Sequence, residues 1–180
     1  MSSHAQNQWD LTPLPLFAGV SAGGIAEIKP LATVIDYPAG TTIFTEGEPG
    51  DALYLVLTGR IDLRCCDRDG HEHILATLEA GAMLGEIALL TNEPRAATAV
   101  TVTTTTVLQL THEAFMALLK QGGGTGQQIL YNLAHGLACR LGEVTQRLGR
   151  LLADQRLVQV ARQEDELEEL KHKLFTEWKF

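Results

Sequence analysis

The sequence specifies a mainly β domain: an antiparallel β-barrel of the double-stranded β-helix or jelly-roll kind, with a short helix before it and a long helix after it. Three observations carry that expectation. Between Ala32 and Leu110, short runs rich in Val, Ile, Thr and Leu are separated by turns containing Gly, Pro or Asp, the pattern of short antiparallel strands. Ahead of them, Ile25, Ile28 and Leu31 recur at helical spacing behind Ser21, a good N-cap residue. Behind them, no proline follows Pro94, and Leu137, Leu141, Val144, Leu148 and Leu151 recur at alternating helical steps, a seam of the coiled-coil type.

The elements follow in order. Residues 1–12 read as a loose polar tail, with Trp9 free to dock. Pro13 and Pro15 punctuate the lead-in to a domain spanning 13–120, anchored first by Leu16, Phe17 and Val20. Thr33 to Tyr37 and Thr41 to Thr45 are strands joined at Pro38-Ala39-Gly40. Glu46 to Asp51 is a loop of turn formers. Leu53, Leu55 and Leu57 alternate through Ala52 to Thr58, and Ile61 and Leu63 resume the alternation into Cys65. Asp69-Gly70 is a hairpin turn, after which His73 to Leu78 returns. Thr98 to Thr103 and Thr106 to Leu110 are β-branched. Thr111 caps a helix bearing Phe115, Leu118 and Leu119. Residues 121–126 form a Gly-rich joint, and 127–180 a long helix. Its seam falters at Gln155, and Leu167, Leu170 and Leu174 form a second stripe beside the charges of Glu164 to Glu169.

Bulk properties narrow the function. The 180 residues carry a formal net charge of −8, with 45% hydrophobic and 20% charged residues. That balance argues against a nucleic-acid surface, which needs clustered Lys and Arg. Cys65, Cys66 and Cys139 have no framework spacing and read as reduced thiols, placing the protein in the cytoplasm. Neither a signal core nor a membrane-length apolar run is present. His71 and His73 share one strand face with Glu79 close by, which raises a cupin-type metal enzyme as a remote alternative. The histidine spacing does not fit that motif, so no metal and no cofactor is expected. No Ser/His/Asp or Cys/His arrangement has a catalytic context, so no enzymatic activity is expected.

The chemistry concentrates between Met83 and Ala99. Gly85 permits a backbone geometry that other residues resist. Glu86 opens a short helical turn over Ile87 to Leu90, whose first N–H groups lack internal partners and suit an anion. Pro94 precedes Arg95, flanked by the small Ala96 and Ala97. A guanidinium beside free N–H groups suits a phosphate, whereas Glu86 suits a sugar hydroxyl.

The run Gly85, Glu86, Ala88, Leu89, Pro94, Arg95, Ala96, Ala97, Thr98 resembles the phosphate-binding cassette of cyclic-nucleotide-binding domains, as in protein kinase A regulatory subunits and the catabolite activator family. The resemblance extends more weakly over Leu16 to Leu119. It implies that Arg95 holds the exocyclic phosphate and Glu86 the ribose 2′-hydroxyl, with Ile87 beside them. Backbone N–H groups of Ala88 and of Ala96 or Ala97 complete the cradle. It places Leu63 and Leu75 against the base, and Arg140, Val144 and Thr145 as lid candidates on the long helix. Relatives selective for cyclic GMP carry Thr after the arginine. Ala96 stands there, which favours cyclic AMP as the ligand.

No helix-turn-helix, kinase, cyclase or channel segment is expected beside this domain. The expectation is a stand-alone sensor, homodimeric through the long helix, whose output is helix closure and whose downstream partner protein is unknown. A vestigial pocket serving only as a dimerisation or interaction scaffold is the alternative.

Overall fold

The computed structural model describes residues 9–67, 69–91 and 93–177, with the side chains of 151 and 154–177 outside that description. Leu151, Gln155, the second leucine stripe and the Glu164 to Glu169 charges therefore lie outside the described side chains. The chain divides into two units, Met1–Ala134 and His135–Phe180.

The first unit opens with a single 3-10 turn at Pro15–Phe17, then α1 (Ala22–Ile28), where the Ser21 hydroxyl accepts from the Gly24 N–H at 3.1 Å. The strands are β1 (Ala32–Tyr37), β2 (Thr42–Phe44), β3 (Ala52–Thr58), β4 (Ile61–Cys66), β5 (Glu72–Leu78), β6 (Met83–Leu84), β7 (Thr98–Thr101) and β8 (Thr105–Thr111). Helix α2 (Glu86–Thr91) interrupts them, and α3 (His112–Lys120) follows β8. Thr111 caps α3 by accepting from the Ala114 N–H. β6 has no counterpart among the expected strands.

The strands form two four-stranded sheets, in the orders β1-β8-β3-β6 and β2-β7-β4-β5. Every pairing is antiparallel. The mainly β jelly-roll class stands, but the sheets do not close into a barrel. Each keeps its own edge strands, and an apolar layer separates their faces instead.

β3 shows how the sequence builds this. Its residues from Ala52 to Leu57 are all buried, yet their side chains alternate between two cores. Leu53, Leu55 and Leu57 join Leu16, Phe17, Ile28, Phe115 and Leu118 from the helices. Ala52, Tyr54 and Val56 join Phe44, Ile61, Ala99 and Val107 between the sheets. β5, in contrast, is an exposed edge. The register between β4 and β5 shifts between Leu63 and Arg64, so Leu75 is the extra residue of a bulge.

Two boundaries differ from the sequence reading. Leu11, assigned to the loose tail, is 2% exposed and sits in the helix-side core, with Trp9 packed against it. The long helix, α4, begins at Thr125, inside the expected joint, and runs to Glu177. Its first turns belong to the first unit: Ile129 and Leu133 are fully buried in the same core. The Asn132 side-chain amide donates to the carbonyls of Leu16 and Ala18 at 2.8 and 2.9 Å. At Gly126 an added Cβ would stand 2.9 Å from the Leu119 nitrogen, so only a bare backbone fits against α3. Among the described residues no helix is long and apolar enough to cross a membrane.

Candidate phosphate site

Arg95 is 4% exposed, in a charged residue type that is seldom buried. Its main chain is held from one side: the Arg95 N–H donates to Glu48 O at 2.8 Å, and the Gly47 N–H donates to Arg95 O at 2.9 Å. The loop that makes these bonds is itself tied by the Thr45 N–H to Glu48 Oε2 and by the Glu46 N–H to Thr98 Oγ1, both at 3.0 Å. This loop of turn formers, Glu46 to Asp51, thus frames the arginine.

The guanidinium then enters the layer between the sheets. Its Cζ lies 4.3 Å from the Phe44 ring centroid and 5.6 Å from that of Tyr54, distances suited to cation–π attraction. Nη1 donates to Ala52 O at 2.8 Å and to Gly85 O at 3.4 Å. Nε is buried without a hydrogen-bond partner among the described residues. The ion pair to Asp51 is long, 4.0 Å, and the Asp51 side chain is 88% exposed. The positive charge is thus only loosely matched. Burial pushes the Tyr54 hydroxyl above its ordinary pKa, a rise that the nearby Arg95 charge and the hydrogen bond from Gln109 partly offset.

Two glycines make room for this side chain. Gly85 has φ +81°, and an added Cβ would collide with Nη1 of Arg95 and stand 2.8 Å from Ala52 O. At Gly50 an added Cβ would collide with that of Ala88 and stand 3.1 Å from Nε of Arg95. Gly50, Phe44, Tyr54 and Asp51 were missed as site residues. Alternation gave a usable signal for Tyr54, because it must face away from Leu53 and Leu55.

Of the other cassette positions, Gly85 touches Arg95 through its carbonyl. Gly85 O accepts the Leu89 N–H at 3.2 Å, closing the first turn of α2. Glu86 is 2% exposed at the start of that helix, where a carboxylate is favoured by the helix dipole. Ala88 and Ala97 are buried, while Ile87 is 45% exposed and Ala96 is exposed. His112 Nδ1 donates to Leu89 O at 2.9 Å and its N–H donates to Asp51 O. The end of α2 is thereby joined to α3 and to the loop beside Arg95. Leu63 is half-buried between the sheets. Leu75 is 55% exposed. Arg140, Val144 and Thr145 lie on the part of α4 that belongs to the second unit; Arg140 is half-buried and the other two are exposed.

Comparison with known proteins gives a consistent picture. The family model described as the cyclic nucleotide-binding domain matches residues 34–122. The chain is 30% identical over 122 residues to a CRP-like cAMP-activated global transcriptional regulator of Mycobacterium tuberculosis, covering 68% of this chain and 54% of the relative. It is 38% identical over 109 residues to a cAMP-dependent protein kinase regulatory subunit of Aspergillus niger, covering 61% of this chain and 26% of that one. The crystal structure of the N-terminal domain of a Streptomyces coelicolor transcriptional regulator superposes with a TM-score of 0.63 and 31% identity, covering 70% of this chain and 90% of that one. The chain spans about half the length, or less, of these curated relatives.

Proposed function

This chain belongs to the cyclic nucleotide-binding domain family, a regulatory family, and on that premise we propose that it binds cyclic AMP at Arg95 and responds by closure of α4. The observation that carries the reading is the arginine itself. A buried guanidinium with an unpartnered Nε and a distant carboxylate is poorly compensated, and a cyclic phosphodiester would supply the missing acceptors and charge. Glu86 would take a sugar hydroxyl, with the backbone of Ala88 and of Ala96 or Ala97 at the phosphate. Leu63 and Leu75 would wall the base. The relatives from Mycobacterium and Aspergillus are named for cAMP, which supports the same ligand here.

Cyclic AMP is favoured over cyclic GMP because Ala96 offers no hydroxyl to a guanine amine. Calorimetric titration with each nucleotide tests both points. Binding of cyclic AMP in preference to cyclic GMP is expected, and Ala96→Thr should narrow the preference. Absence of heat with either nucleotide would leave only the scaffold reading.

For the output, Ile129 and Leu133 are buried in the core, which supports a moving part of α4 beyond Ala134. Arg140, Val144 and Thr145 would cap the base. Amides of residues 135–150 should exchange more slowly with cyclic AMP bound, whereas those around Ile129 should be protected in either state. Unchanged exchange over 135–150 would rule the closure out. Leu141, Val144 and Leu148 are 68%, 58% and 55% exposed, an apolar seam suited to pairing with a second copy of the chain.

A further inference from the structure

The tip of the β4–β5 hairpin gathers metal-ligating side chains well away from the phosphate cassette in sequence. Cys65 pairs across the strands with His73, and Cys66 with Glu72. The Asp67 N–H donates to His71 O at 2.9 Å, which extends the ladder by one pair. Alternation therefore puts Cys65, Asp67, His71 and His73 on one face of the hairpin. Arg64 and Glu72 take the opposite face and pair there at 3.0 Å.

Asp67 organises the first face. Its Oδ1 accepts the N–H groups of Asp69 and His71, both at 2.9 Å, which fixes the carboxylate in the turn. Its Oδ2 is left to the imidazoles, 2.8 Å from His73 Nε2 and 3.5 Å from His71 Nδ1. The ligand atoms of Asp67, Asp69 and His71 all lie within 4.8 Å of one another, and His73 adjoins that trio through Asp67. All these side chains are exposed, so an ion reaches them without opening the fold. Glu79, the carboxylate that the sequence suggested for this histidine pair, is not part of the group.

We propose that this hairpin face is a binding site for a divalent transition-metal ion of the zinc class, held by Asp67, Asp69 and His71, with His73 turning in from beside Asp67 as the further ligand. The two imidazoles decide the class. Calcium and magnesium prefer all-oxygen shells, whereas imidazole suits zinc and its neighbours. Ligands about 2.1 Å from one zinc ion stand roughly 3.4 Å apart, and the carboxylate already lies close to that distance from both rings. Cys65, the cross-strand neighbour of His73, puts a thiol on the same face. An ion there would tie β4 to β5 at the open end of the exposed edge strand and stabilise the folded form by mass action.

The test is calorimetric titration of the untagged full chain with zinc ion near neutral pH, with a melting curve for each protein. One site is expected, together with a rise in melting temperature when zinc is present. His71→Ala and His73→Ala should each weaken binding about tenfold or more, and the double variant should abolish it while its metal-free melt stays that of the parent. His135 and Cys139 approach each other to 3.8 Å on α4, so His135→Ala is the control and should leave the zinc affinity unchanged. A parent chain that takes up no zinc, a double histidine variant that binds as tightly as the parent, or loss of binding in His135→Ala would each overturn the proposal.

Discussion

Arg95→Leu should weaken cyclic AMP binding about a hundredfold or more while the domain stays folded. The parent guanidinium is desolvated, stacked on Phe44 and bonded to two main-chain carbonyls. Bringing a phosphodiester to it would complete a buried, hydrogen-bonded charge pair, and removing one member of such a pair costs about 2–5 kcal/mol. A hundredfold loss is about 2.7 kcal/mol. The folded state loses less, because leucine also relieves the cost of burying a weakly matched charge. The readout is therefore double: calorimetry should show the loss of affinity, and melting curves should lose the upward shift that the nucleotide gives the parent. Arg95→Lys should fall between the two, since a single ammonium cannot reproduce the planar fork. Parent-like affinity in the leucine variant would remove Arg95 from the site.

Gly85→Ala should damage both fold and binding. At φ +81° a side chain is strained, at about 1–2 kcal/mol for a left-handed residue. The new Cβ would also meet Nη1 of Arg95 and Ala52 O, and overpacking of this kind adds about 1–3 kcal/mol. A lower melting temperature is expected, with a loss of cyclic AMP affinity because Arg95 is displaced. Gly50→Ala approaches the same guanidinium from the other side, where the new Cβ would meet Ala88 on α2. It should reproduce the affinity loss without the backbone strain. If Gly85→Ala melts and binds as the parent does, the packing described around Arg95 is wrong.

The fold was legible wherever one residue pattern had one physical solution. The alternation of Leu53, Leu55 and Leu57, the caps at Ser21 and Thr111, and the Asp69-Gly70 turn each point to one local structure. β6 was not legible, because two residues carry no period. The bulge at Leu75 was not legible either, since a one-residue slip between paired strands leaves no mark on the composition of either strand. Barrel closure was not legible: alternation fixes which face is buried, but not whether edge strands join. The start of α4 was masked by the glycines at 122–124, although Ile129 and Leu133 continue the helical period upstream of Leu137. At the site, the arginine and its glycine stood out by type. Its aromatic bed did not, because Phe44 and Tyr54 read as ordinary core residues until the sheets are stacked.

The strand order has a bearing on synthesis. β1 pairs with β8, Ala32 opposite Leu110, and the main ladder of β3 is with β8 as well. The β4–β5 hairpin closes locally, but one whole sheet waits for its last strand, since contacts distant along the chain must first overcome the entropy of the loop between them. On the ribosome, β1 and most of β3 therefore emerge with open edges and stay so until residues 105–111 arrive. The nascent chain is most vulnerable to aggregation in that interval, and a chaperone that shields apolar strands would act on it then.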